Sequence, residues 1–205
     1  DCEMTRLVVG LTGTLGSGKS TVAQLLAERG ASIVDMDEAG RWAVGYNERV
    51  QHAIRKTFGD SVFDDAGRLK RRALGDIVFS DHKALTQLNK IVHPAMLERV
   101  RFLVDKEKNA GDSLYIIVDA ALIFELEFEQ ECDLTVCVTA SLEQRLERAG
   151  QRNFSRQQAL DRIHSQIPQH EKAARSDYVL KNDTTLETLQ KRVKELHLWL
   201  LQKIK

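Results

Sequence analysis

The sequence predicts an α/β fold, a parallel sheet wrapped by helices, and three observations carry that prediction. Short apolar runs alternate with longer stretches of helical period along most of the 205 residues, the arrangement that parallel crossovers require. The apolar runs are nearly continuous rather than alternating, as strands buried on both faces must be. A loop rich in glycine and hydroxyl residues, "GLTGTLGSGKST" at residues 10–21, follows the first of them.

"RLVVGLT" reads as the first strand and "KSTVAQLLAERG" as the helix after it. Val22, Leu25 and Leu26 share one face of that helix, and Gly30 stops it. "ASIVD", "SLYIIVD" and "DLTVCVT" read as further strands, with "SDYVLKN" as a fifth candidate. Two segments break the rhythm. Residues 38–112 hold about three helical patterns and no convincing strand, far more than an ordinary crossover. Residues 149–176 are highly polar, carry Arg152, Arg156, Arg162, Lys172 and Arg175, and read as mobile helices over a site. The closing "LETLQKRVKELHLWLLQKIK" is amphipathic and reads as a packing helix; its His197 and Trp199 need no further role.

The length allows one substantial domain with an insertion or lid. Thirty basic residues balance thirty acidic ones, so no global field draws a nucleic acid or an anionic membrane. An anionic ligand must therefore be caught locally. Cys2, Cys132 and Cys137 are too few and scattered for a disulfide framework or a four-ligand zinc site, and a reducing cytosol is the expected compartment. No apolar stretch approaches a membrane span and no secretory apolar region opens the chain; Met4 could be a natural start.

Residues 13–20, Gly13-Thr14-Leu15-Gly16-Ser17-Gly18-Lys19-Ser20, match GxxxxGK[ST] without a break, between a strand and a helix. Glycines let consecutive N–H groups turn inward as an anion cradle, and the helix adds its positive end. Gly13, Leu15, Gly16, Ser17, Gly18, Lys19, Ser20 and Thr21 are the candidate nucleotide contacts. Lys19 would reach the β- and γ-phosphates, and Ser20 would ligate Mg²⁺. The expected ligand is a nucleoside triphosphate.

"IVDMD" places Asp35 and Asp37 at the end of the second strand, where extended residues two apart face one cleft. One carboxylate suits a base taking the proton of an attacking hydroxyl, the other a metal or substrate contact. One of the two is equally suited to capping the helix "EAGRWAV". Asp119 ends the apolar "YIIVD" and would approach Mg²⁺ through water. Arg148 and Arg152, four apart on a helix, suit phosphate oxygens or adenine, or a solvated face paired with Glu143 and Glu147. His93-Pro94 reads most simply as a helix start.

Taken together, these stretches resemble the dephospho-CoA kinase family over residues 6 to about 195. The ordered set carries the resemblance: "LTGTLGSGKST", "GASIVDMDEAGR", "FGDSVFDDAGRLKRRALGDIVF", "LNKIVHP", "DAALIFE", "RLERAGQR" and "RIHSQIPQHEKAARSDYVLKND". It implies a P-loop kinase: one domain over residues 1–205, with a parallel sheet of about five strands, a helical substrate (CoA) insertion at 38–112 and a lid at 149–176. The implied reaction is transfer of the ATP γ-phosphoryl group to the ribose 3′-hydroxyl of dephospho-CoA, the last step of coenzyme A synthesis. Asp37 matches the family's proposed general base, and Lys19 and Ser20 its phosphate and Mg²⁺ contacts. Arg71, Arg72, Asn89 and His93, with Asp35, fall where the acceptor would bind. Arg148 and Arg152 match lid residues near the nucleotide, and Asn182 lies beside the expected adenine.

The chain departs from the family pattern at Ala121-Leu122-Ile123, where Pro-Leu-Leu is usual before Phe-Glu, and at Arg152-Asn153 for Arg-Asp. Thr14 stands where glycine is frequent. The implied partners are the small-molecule substrate and, at most, further copies of the chain, as a monomer or small homo-oligomer in the cytoplasm. Another small-molecule P-loop kinase, or a slow nucleotide switch, shares the cradle but would lack this insertion or this acceptor pocket.

Overall fold

Strand β1 (Val8–Thr12) is buried along its whole length and occupies the middle of a five-stranded sheet. The computed structural model describes residues 6–204, apart from the side chain of Phe79; Cys2 and Met4 lie outside the described residues. The other strands are β2 (Ala31–Asp35), β3 (Tyr115–Asp119), β4 (Leu134–Thr139) and β5 (Tyr178–Lys181), in the spatial order β2-β3-β1-β4-β5. The pairs β1–β3, β1–β4 and β4–β5 are all parallel. The strand order reverses at β1, which puts the carboxyl ends of β1 and β3 side by side where α/β sheets bind ligands. Register fixes this closely: Leu11 lies opposite Asp119.

Helix α1 (Lys19–Ala27) and helix α9 (Leu186–Leu201) cover one face of the sheet. Val22, Leu25 and Leu26 pack with Leu189, Val193, Leu196 and Leu200 against Val9, Leu11, Ile117 and Val136. The four α9 residues recur at spacings of four, three and four, one stripe of a 3.6-residue helix. His197 is not idle packing, because its Nδ1 lies 2.8 Å from the hydroxyl of the fully buried Tyr115. Burial pushes the Tyr115 phenol up to about 12, so the phenol stays protonated and suited to donate to the imidazole.

Two compact units divide the chain: residues up to Val34 together with those from Val104 onward, and Asp35–Leu103. The second unit is helical, with α2 (Met36–Tyr46), α3 (Glu48–Phe58), α4 (Arg71–Ser80) and most of α5 (His82–Ala110). That is four helices among the described residues, where the periodicity suggested about three. Pro94 does not start a helix; it lies inside α5. Buried Val92, Met96 and Val100 continue the same apolar stripe across it, and that packing outweighs the one backbone hydrogen bond a proline forfeits.

Helices α6 (Leu142–Gly150), α7 (Arg156–His164) and α8 (Gln169–Arg175) follow β4. The reading of 149–176 as mobile throughout fails at α8. Lys172 is fully buried and bonds Glu125 at 2.7 Å and the Ala121 carbonyl, while Ile167 N–H donates to Glu125 at 2.9 Å. Arg175 bonds Glu129 at 2.7 Å and lies over the Phe124 ring. No helix of the described residues is long and apolar enough to cross a membrane. Cys132 and Cys137 are free thiols, raised by burial to about 12 and about 11.

Candidate active site

The loop between β1 and α1 is held from below by two polar side chains. Asn182, buried just after β5, donates its amide to the Ser17 carbonyl at 2.8 Å. Arg148, from the last turn of α6, donates to the carbonyls of Gly16 at 3.2 Å, Ser17 at 3.4 Å and Asn182 at 2.9 Å. With those carbonyls drawn to one side, the loop's N–H groups other than those of Leu15 and Ser17, which bond Gln166 and the Thr14 carbonyl, can face the other. Gly18, at φ 90°, has the Asn182 amide where a Cβ would sit, and the Arg145 backbone fills the same space at Gly16. Residues with side chains could keep neither the conformation nor the clearance.

Helix α1 begins without a side-chain cap on Gly18. Helices α2, α3, α6, α7 and α9 each begin on a side chain that accepts a backbone N–H. The first N–H groups of α1 therefore have no partner within the helix, and the helix dipole favours an anion there. Ser17 Oγ is also buried with no hydrogen-bond partner. An uncapped helix end on a glycine cradle fits a polyphosphate.

Lys19 pairs with Asp119 Oδ1, and both side chains are about nine-tenths buried. The contact joins the phosphate loop to the end of β3, as the register of Leu11 with Asp119 requires. Ser20 is exposed on the first turn of α1. A hydroxyl and one carboxylate are the hard-oxygen donors that suit Mg²⁺, which is usually held by one or two protein groups plus phosphates. Among the described residues no group of three or more His, Cys, Asp and Glu side chains could hold a metal ion.

A cavity of about 440 Å³ opens beside the loop, lined by Gly16, Gly18, Thr21, Arg148, Arg152 and Asn182. The sequence singled out all six. Gln151, Thr184, Leu186 and Leu189 line it too and escaped notice, because the two leucines read as the packing stripe of the last helix. Leu15 turns elsewhere: its side chain packs with Leu146, Ala149, Ala159 and Ile163, and its N–H donates to Gln166 at 3.3 Å. Gly13 is buried behind the loop, against Ser17 and the Val138 carbonyl.

In the helical unit, β2 ends at Asp35, whose carboxylate caps α2 by accepting from Glu38 N–H at 3.0 Å. Asp35 and Asp37 are thus not two residues of one extended strand; Asp37 stands exposed in the first turn of α2. Arg41, not singled out by the sequence, ties two candidates together. Its guanidinium is 3.7 Å from Asp35, and its carbonyl accepts from Arg71 at 3.4 Å. Arg71 and Arg72 open α4, where the helix dipole disfavours cations. Asn89 and His93 lie one turn apart on α5, both half-buried. Burial holds His93 below the ordinary histidine value of 6.5, leaving a neutral imidazole at neutral pH.

The family model of the dephospho-CoA kinases (CoaE) matches residues 7–188. This chain belongs to the dephospho-CoA kinase family. It is 36% identical over 191 residues to the dephospho-CoA kinase of Bacillus licheniformis, covering 93% of this chain and 94% of that one. It is 37% identical over 187 residues to that of Latilactobacillus sakei, covering 91% and 92%. Among solved structures, TT1252 from Thermus thermophilus superposes with a TM-score of 0.77 at 35% identity, over 95% of this chain and 98% of that one. The dephospho-CoA kinase of Campylobacter jejuni superposes at 0.69 with 24% identity, over 96% and 98%, a likeness of fold. As a dephospho-CoA kinase the chain is a phosphotransferase.

Proposed function

We propose that this chain transfers the γ-phosphoryl group of ATP to the ribose 3′-hydroxyl of dephospho-CoA, giving coenzyme A and ADP as the final step of coenzyme A synthesis in the cytoplasm. The observation that carries this reading is the uncapped start of α1 on a glycine cradle, within a chain matched to the family over residues 7–188.

In this reading the α1 N–H groups and Lys19 hold the β- and γ-phosphates, and Lys19 offsets the charge that builds on the bridging oxygen as its bond to the γ-phosphorus breaks. Arg148 and Asn182 keep the loop shaped, and with Arg152 they flank the base. Asp37 accepts the proton of the 3′-hydroxyl as that oxygen bonds the γ-phosphorus, and ADP leaves with the electron pair. Asp35 orients α2, and Arg71, Arg72, Asn89 and His93 bind the acceptor. Ser20 and, through water, Asp119 would hold Mg²⁺, which would supply charge neutralisation to the transferring phosphoryl group. The residues 38–112 serve as the acceptor insertion and 149–176 as the lid, with α8 as its anchored end.

The test is ADP release with Mg·ATP and dephospho-CoA, beside no acceptor, AMP, adenosine, gluconate and shikimate. Dephospho-CoA alone should stimulate turnover. Asp37→Asn should lower kcat by about 10²–10⁴, and Lys19→Ala by about 10² or more. Stimulation by another acceptor, or by none, would overturn the acceptor assignment while leaving the phosphate loop intact.

A further inference from the structure

Among the described residues, Lys19, Arg145 and Lys172 of the sheet-containing unit are cations with side chains about nine-tenths buried or more, and two of them face a carboxylate. Lys19 faces Asp119 and Lys172 faces Glu125. Arg145, on α6, is 8% exposed and has no ion pair among the described residues. Its guanidinium donates to Thr14 Oγ1 at 2.8 Å, and its Nε is buried without a hydrogen-bond partner. Its backbone occupies the space beside Gly16 where a Cβ would fall. Side chain and backbone of one residue therefore brace two positions of the phosphate loop.

We infer that Arg145 is a positioning residue for the phosphate loop, gripping it through Thr14 and lending it a buried positive charge that only a bound polyphosphate neutralises. The inference rests on the reading of this loop as the ATP cradle. A buried charge without a counter-ion is unfavourable, so its retention beside an anion site has a physical reason only when the anion is counted. Desolvation holds the guanidinium below its ordinary value in agreement with that placement. The grip needs a hydroxyl at position 14. Thr14 Oγ1 supplies it, at 2.8 Å from the guanidinium.

Calorimetric titration with ADP and AMP, and melting without nucleotide, test it on the full chain. Arg145→Met should weaken ADP by about tenfold, the effect of one partly screened charge, and AMP by less. It should leave the melting temperature without nucleotide unchanged or higher, because an unpaired buried charge has gone. Arg145→Lys should recover most of the ADP affinity. Arg145→Gln, neutral but still a donor, reads the same quantity if the methionine variant does not fold. A residue of purely structural role would do the reverse: lower melting with ADP affinity intact, and that result overturns the inference. Wild-type protein that binds no ADP would overturn the cradle reading itself, and this inference with it.

Discussion

At the scale of single residues, the phosphate loop is a problem of clearance. Gly18 is left-handed and touches the Asn182 amide that orders the loop, so conformation and contact both exclude a side chain. Gly18→Ala should raise the Kd for ADP by at least about tenfold, read by titration calorimetry. The variant should also melt lower than wild type, since a left-handed alanine costs about 1–3 kcal/mol and its Cβ would meet the buried Asn182 amide. The glycines, Lys19 and Ser20 were legible because their chemistry dictates their spacing. Arg145 was not, because an arginine on an amphipathic helix reads as solvated until the fold sets it on Thr14. Asp35 shows the opposite case: the sequence offered two acids for one cap, and the backbone turn at Met36 decided between them.

Among elements, the strands and α9 were readable as runs and stripes, because burial on two faces or on one leaves a periodic record. The helix α8 left a misleading one. Its lysine looks like lid charge in sequence, yet it is fully buried on Glu125 and the Ala121 carbonyl. That meeting spans 47 residues and no local pattern announces it. Removing Glu125 strands an ammonium in the interior, whereas removing Lys172 leaves a carboxylate that still accepts from Ile167 N–H and reaches solvent. Glu125→Ala should therefore lower the unfolding free energy by about 3 kcal/mol or more, and Lys172→Met by distinctly less. Urea denaturation of both orders them; equal losses would show that the pair is not what anchors α8.

For the whole molecule, acid sensitivity follows from two histidines. Burial lowers His93, and burial followed by the Arg29 charge lowers His197. Below the ordinary value of 6.5 the unfolded chain takes up protons that the folded chain resists, so stability falls as pH drops from there towards the folded values. Melting temperatures from pH 7.5 to 5 should be flat above about 6.5 and decline below it, and His93→Gln should make the decline shallower. A curve unchanged by that substitution would remove His93 from the account. The strand order has a consequence for biogenesis. β1 leaves the ribosome first, yet both its partners, at Tyr115–Asp119 and Leu134–Thr139, are made more than a hundred residues later. At about 5–20 residues per second, the most apolar strand waits roughly five to twenty seconds without a neighbour, while the locally connected helices of Asp35–Leu103 have all they need to fold. The segment that cradles the nucleotide in the finished enzyme is, during synthesis, the one most in need of a chaperone.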